Sequence, residues 1–174
     1  MTVSEEFIRV SRYELEQGRL KIEACLAKLS DEQIWSRSNE IENSVGNLVI
    51  HLAGNARQWI IAGIGGAEDD RDRDSEFNRR DAIAGEELRA TLATAMLAVD
   101  QVLAELDPAT LLETRKIQIY ELTILQSIYH VTQHFGGHVG QIIWATKRMT
   151  AEDLGFYRYL TPEGGGTPPE NAQP

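Results

Sequence analysis

Residues 121–148 read ELTILQSIYHVTQHFGGHVGQIIWATKR, and they decide the fold that the sequence predicts. Apolar side chains recur among them at the spacing that places residues on one face of a helix, namely Ile124, Ile128, Val131, Phe135, Val139 and Ile142. We therefore expect one long helix here, with a single buried face.

Three further segments show the same periodicity, at residues 4–29, 44–64 and 85–106. The first carries apolar residues at heptad spacing, namely Ile8, Leu15, Ile22 and Leu29. Ser44 is a typical N-cap for the second segment, which Gly65-Gly66 ends, and Asp107-Pro108 ends the third. Four such segments in a chain of 174 residues predict one all-α domain.

The segments outside these helices differ in character. Residues 68–80 mix acidic and basic side chains densely, which leaves two interpretations open: a solvated surface loop, or an ordered loop whose arginines and aspartates pair near the mouth of a site. Residues 114–120 are short and alternating, which favours an extended segment. Residues 161–174 are rich in glycine and proline, so we expect a helical domain over residues 1–160 followed by a flexible tail.

Composition and charge narrow the classes of function. The formal net charge of −10 disfavours binding to nucleic acid and to anionic membranes. No stretch approaches the roughly 20 apolar residues of a membrane helix, and residues 1–9 lack the pattern of a signal peptide. We therefore expect a cytoplasmic protein whose partners are a metal ion, a small molecule or a second copy of itself.

Several common chemistries have no support in the sequence. The lone cysteine, Cys25, cannot form an internal disulfide, and its position on an apolar stripe predicts a core residue rather than a nucleophile. No glycine-rich loop opens a helix in the manner of a phosphate site, and there is no Gly-x-Ser-x-Gly motif.

The histidines offer the clearest chemistry. His130, His134 and His138 follow one another at intervals of four residues, and two imidazoles at that spacing can share a metal ion. On a helical wheel, His138 lies nearer the apolar face and His130 farther from it, which favours the pair His134 and His138 and places His130 at the rim. His51 can complete three ligands if the second and fourth helices are neighbours, although a histidine beside a core face is also common as an ordinary polar residue.

Two stretches resemble the DinB/YfiT-like superfamily. Residues 47–55, NLVIHLAGN, are similar to its second helix, and residues 134–142, HFGGHVGQI, are similar to its His-x-x-x-His-x-Gly-Gln-Ile motif. Residues 72–77 and 153–157 are similar to one branch of the superfamily, and the resemblance extends over nearly the whole chain up to Leu160.

The resemblance implies an antiparallel four-helix bundle with a long crossover connection, often as a homodimer. It also implies one divalent ion, nickel or zinc in many members, bound by the residues that match His51, His134 and His138. Some relatives are metal-dependent S-transferases or isomerases that use bacillithiol, mycothiol or glutathione. Many members carry arginine where this chain has Val139, so a role for that arginine does not transfer.

Three functions follow from these observations. The first is metal-dependent transfer of a low-molecular-weight thiol to a small electrophile, with His130, Asn55 and Tyr120 as residues that orient the substrate or support the ligands. The second is a metal-binding or structural dimer without turnover. The third is a metal-dependent hydrolase.

Overall fold

The four predicted helical segments form the four long elements of the molecule, in a computed structural model that describes residues 1–166. Helix α1 spans Val3–Leu26 and is followed by a short helix α2, Asp31–Trp35. Helix α3 spans Val45–Ala56, and a second short helix, α4, spans Arg73–Asn78. The remaining long helices are α5, Gly85–Glu105, and α6, Ile124–Thr150. The predicted all-α bundle is confirmed.

The four long helices form a bundle in which α1 and α3 each contact both α5 and α6. Helices α1 and α5 run antiparallel and contact one another through Arg12 and Asp100. Helices α3 and α6 also run antiparallel, and His51 contacts His134 between them. The pair α1–α6 runs parallel, because Gly18 lies against Phe135 while Lys28 pairs with Glu152. Helices α3 and α5 must then also be parallel, and residues 63–84 return the chain between them as the predicted long crossover.

Side-chain caps explain where the helices begin. The side chains of Thr2, Ser44 and Thr123 each accept a hydrogen bond from the backbone N–H three residues ahead. The side-chain oxygen at that third position accepts one in turn from the backbone N–H of the cap. The predicted N-cap role of Ser44 is confirmed. Helix α6 ends where Ala151 adopts a left-handed conformation, with φ of 57°.

Three boundaries differ from the sequence prediction by three residues or more, and the first is the end of α1, at Leu26 rather than at residue 29. Helix α6 begins at Ile124 rather than near residue 121, because a hairpin of β1, Thr114–Ile117, and β2, Tyr120–Thr123, takes the preceding residues. The extended segment predicted at residues 114–120 is thus the first part of this hairpin. Helix α3 ends at Ala56, and a π-helical turn over Arg57–Ala62 continues it and buries Trp59.

The core runs along the axis of the bundle. Its largest fully buried side chains come from all four long helices and the segments beside them, and include Ile22, Leu52, Leu92 and Ile142. Gly18 lets α1 approach α6 closely, since a Cβ at this position would lie 2.8 Å from the ring of Phe135. Cys25 is fully buried, as expected for a core residue.

The charged crossover is ordered where it meets the bundle. Most charged side chains in residues 68–80 are exposed, but those of Arg71 and Glu76 are each only 5% exposed and pair with one another. The second interpretation of this segment, an ordered loop with paired charges, therefore describes Arg71 and Glu76 correctly. The partner of Arg71 is a glutamate rather than one of the aspartates.

Beyond α6 the chain forms short exposed turns, at Arg158–Leu160 and Pro162–Gly164. The predicted flexible tail at residues 161–174 falls largely on residues 167–174, which lie outside the described part of the chain. No helix within residues 1–166 combines the length and the apolar character that crossing a bilayer demands.

Candidate metal centre

Three of the four histidines converge between α3 and α6. His51 projects from α3, and His134 and His138 project from successive turns of α6, so that one potential ligand atom from each lies within 4.8 Å of the others. Nε2 of His134 lies 3.1 Å from Nε2 of His51 and 3.2 Å from Nε2 of His138. The antiparallel packing of α3 on α6 therefore brings together the three residues that the sequence singled out.

Hydrogen bonds behind two of these rings determine which nitrogen faces the cluster. Nδ1 of His51 donates to Oε2 of Glu76 at 2.9 Å, and Nδ1 of His138 donates to Oε1 of Gln141 at 2.9 Å. With the ring hydrogen on Nδ1, each Nε2 carries a lone pair directed at the centre of the cluster. Such a partner behind the ring is the usual arrangement for histidines that bind metal.

The donor set fits a divalent cation. Nε2 of His51 and of His138 are both acceptors, and His134 can offer at most one hydrogen from its own Nε2, so at least one inward lone pair has no donor. Nδ1 of His134 is also buried without a hydrogen-bond partner in residues 1–166. One cation would satisfy all three inward lone pairs, and three imidazoles leave a further coordination position open.

The electrostatics of the site keep the rings of His134 and His138 neutral. Burial, together with the neighbouring His138 and His51, lowers the pKa of His134 to about 3. Burial is also the main cause that lowers the pKa of His138, against the opposing effect of its bond with Gln141. Neutral imidazole is the form that coordinates a metal, so His134 and His138 can bind one at neutral pH without first losing a proton.

A buried ion pair stands behind His51. Arg71 donates from Nε to Oε1 of Glu76 at 2.7 Å and from Nη2 to Oε2 at 2.8 Å. Burial by itself raises the pKa of Glu76, but the hydrogen bonds from Arg71 and His51 outweigh it, and the net pKa is lower than usual. Glu76 is therefore an ionised acceptor for the ring hydrogen of His51.

The remaining predicted site residues lie around the cluster rather than in it. The ring of His130 is centred 5.8 Å from that of His134 and 4.4 Å from that of Trp59. Tyr120, on β2, is half exposed, with its ring 6.2 Å from Trp59. Asn55 is buried on α3, one turn beyond His51. His130 lies between Trp59 and His134, beside the cluster, and its role at the rim of a site stays a prediction.

Sequence reasoning missed Glu76, Arg71 and Gln141. Gln141 follows His138 by three residues on the same helix, a spacing that brings side chains into contact and could have identified it. Glu76 and Arg71 lie in the mixed-charge crossover, where nothing in the local pattern separates them from their exposed neighbours.

A four-helix bundle with a long crossover and a histidine cluster between its second and fourth long helices defines the class of DinB/YfiT-like proteins. Within that class, residues 2–161 match the model of the family described as "Protein of unknown function (DUF1572)". The match covers most of the chain, so the protein belongs to the DUF1572 family, which is itself DinB/YfiT-like. A comparison with curated proteins gave no match.

Proposed function

We propose that the protein is a metal-dependent transferase that joins a low-molecular-weight thiol to a small electrophile. The observation that carries this proposal is the convergence of the Nε2 atoms of His51, His134 and His138. Three protein ligands with an open position are typical of reactive metal sites, whereas structural sites are usually closed by four. Imidazole ligands suit zinc or nickel, the two ions that we propose.

The chemistry that such an ion supplies is Lewis acidity, which lowers the pKa of a thiol and favours the nucleophilic thiolate. In the overall reaction, a carbon–sulfur bond forms, the thiol proton is released and the leaving group departs with its electron pair. The three histidines would hold the ion, and Glu76 would keep the ring of His51 in the tautomer that the ion requires.

The position of the only cysteine supports a thiol that comes from outside the chain. Cys25 is 0% exposed, and burial raises the pKa of its thiol, so it cannot serve as the nucleophile. A reaction at sulfur in this protein therefore needs a thiol cosubstrate. His130 and Tyr120 lie along the series of rings that leads from the hairpin to His134, and we assign them contacts with the bound substrates.

The experiment is a panel of bacillithiol, mycothiol, glutathione and coenzyme A, each mixed with an electrophile such as monochlorobimane. Zinc- or nickel-loaded protein should consume one thiol faster than chelated protein and faster than a variant with His51, His134 and His138 all changed to alanine. Cys25→Ala should retain most of the activity, because its side chain lies in the core.

The alternatives give different results in the same assay. If loaded protein accelerates no thiol more than the triple variant does, the transferase proposal fails and a metal-binding dimer without turnover takes its place. Metal-dependent product formation from ester or amide substrates without any thiol would instead favour the hydrolase. Circular dichroism of each sample is needed in parallel, since removing a metal can also loosen a fold.

A further inference from the structure

We propose that Arg71, in the crossover segment, is a positioning residue of the metal centre. Through Glu76 it fixes the orientation of His51, and it thereby sets the affinity and the geometry with which the three histidines bind a divalent ion. This inference rests on the metal site of the proposed function, but not on the reaction assigned to it.

Arg71 and Glu76 form a buried ion pair with two hydrogen bonds. The guanidinium uses Nε and Nη2 for the two oxygens of Glu76, and Nη1 donates to Oε1 of Gln58 at 2.8 Å. Both charged side chains are only 5% exposed, so solvent screens this contact little. Two parallel hydrogen bonds hold the plane of the carboxylate, which a single point charge such as lysine cannot do.

Glu76 connects Arg71 to His51. Oε2 of Glu76 accepts both from Nη2 of Arg71 and from Nδ1 of His51, and these two donor atoms lie only 3.1 Å apart. If Arg71 were removed, Glu76 would be a buried carboxylate without its main compensating charge. The carboxylate would no longer be held in its plane by two hydrogen bonds, so His51 would lose the acceptor that fixes its tautomer.

The backbone of α3 confirms how closely this pair is packed. A Cβ added at Gly54 would lie 2.0 Å from Oε1 of Glu76 and 3.2 Å from Nε of Arg71. Because Gly54 has no side chain, Arg71 and Glu76 can occupy the space beside it. Gly54→Ala must move Glu76 without changing any charge or any proposed ligand, which gives an independent way to disturb the same contact.

The crossover is held in this position by further contacts. Nδ2 of Asn47, near the start of α3, donates to the backbone oxygen of Glu76 at 2.7 Å, and the ring of Phe77 lies 4.5 Å from that of His51. Arg71 and Glu76 are both in the crossover, so their ion pair forms within this segment. The carboxylate of Glu76, held by Arg71, then accepts the hydrogen bond from His51 on α3. The order of the crossover and the orientation of His51 are thus coupled.

The test measures the affinity for Zn²⁺ alone, by competition with a chromophoric chelator, and the absorption spectrum of Co²⁺-loaded protein. Arg71→Gln and Gly54→Ala should each weaken Zn²⁺ binding by roughly 10- to 100-fold, the usual effect of losing a partner behind a ligand. Both should also change the Co²⁺ spectrum. Arg71→Lys should have a smaller effect. Arg57→Gln is the matched control, since Arg57 is exposed and, within residues 1–166, pairs only with Asp70 at 3.9 Å.

The outcomes separate this inference from the proposed function. The inference is wrong if folded Arg71→Gln protein has the same affinity for Zn²⁺ and the same Co²⁺ absorption spectrum as the wild type. If Arg71→Gln does not fold, Arg71→Lys and Gly54→Ala decide the question by the same criteria. A wild-type protein that binds no metal would overturn both ideas. Weaker binding by the variants without any thiol transfer in the wild type would uphold the inference and reject only the reaction.

Discussion

The individual histidines divide into three that form the cluster and one that lies beside it. His51→Ala, His134→Ala and His138→Ala should each strongly lower the metal content of purified protein, because two imidazoles bind a divalent ion more weakly than three. His130→Ala should leave the content near one ion per chain, since its ring contacts Trp59 and stacks beside His134 without joining the cluster. Elemental analysis of each purified variant measures this directly.

The same variants can also contradict this ligand assignment. If His130→Ala strips the metal while His138→Ala retains it, the ion is bound by a different pair on α6 from the one that the geometry favours. Thermal unfolding of metal-free samples provides the control for loss of structure. All four variants should still unfold cooperatively when a chelator is present, although His51→Ala, which removes a buried side chain, should unfold at a lower temperature.

Two glycines in the long helices differ in how closely they are packed. Gly18 on α1 lies against Phe135, whereas Gly137 on α6 has open space beside it. A Cβ at Gly18 would lie 2.8 Å from Phe135, whereas a Cβ at Gly137 would meet no atom within 4 Å in residues 1–166 other than those of its neighbours and of the surrounding helix backbone. Gly18→Ala should therefore destabilise the protein by about 1–3 kcal/mol through overpacking. In a single chain, Gly137→Ala should stabilise the protein by about 0.5–1 kcal/mol, because alanine loses less conformational freedom in a helix, whereas close packing of a second copy at Gly137 would reverse this effect.

Urea unfolding followed by circular dichroism would measure both changes in the free energy of unfolding. The two variants are controls for one another, since the substitution is the same and each lies in a long helix. A destabilising effect of Gly137→Ala would mean that another surface covers this face of α6 in solution.

The elements also show which parts of the structure could be predicted from sequence. The helix spacing of His134 and His138, and the apolar stripe beside them, are local properties of one continuous helix, so the two histidines of α6 that lie near His51 could be identified. The cap of α3 was predictable for the same reason. The hairpin at residues 114–123 was only partly anticipated, because its second strand reads equally well as the first turn of α6.

What escaped prediction depends on contacts between distant segments. Glu76 lies 25 residues from His51, and Arg71 resembles the exposed arginines around it until the crossover packs on α3. The π-helical turn that places Trp59 against His130 likewise follows from packing, since the sequence of Arg57–Ala62 continues an ordinary helical pattern.

For the whole molecule, the homodimer implied by the resemblance stays a prediction, and the exposed face of α6 is where we expect it. Residues 122–146 contain no Asp, Glu, Lys or Arg in a chain of net charge −10. Tyr129 and Trp144, 63% and 61% exposed, lie on either side of Gly136 and Gly137. An antiparallel crossing of two α6 helices at these glycines would bring Tyr129 of one copy against Trp144 of the other.

Light scattering after size-exclusion chromatography tests this arrangement. The wild type should have twice the chain mass of 19.5 kDa, and Trp144→Glu should shift the protein towards the mass of one chain. Leu97→Glu is a suitable control, because Leu97 is an exposed apolar residue on α5. A wild-type protein that is monomeric at all concentrations, or an unchanged dimer in Trp144→Glu, would contradict the prediction.

The order of the helices around the bundle has a consequence for how the protein is made. Helix α1 lies next to α5 and α6, and across the bundle from α3, so that it packs on no long helix that is close to it in the chain. An emerging polypeptide therefore cannot close a helical hairpin between α1 and α3. Residues 134 and 138, which belong to the last long helix, reach their partner on α3 only after most of the chain has been synthesised. The nascent protein must expose its apolar stripes for longer than a bundle of successive hairpins would, and its dependence on chaperones should be correspondingly greater.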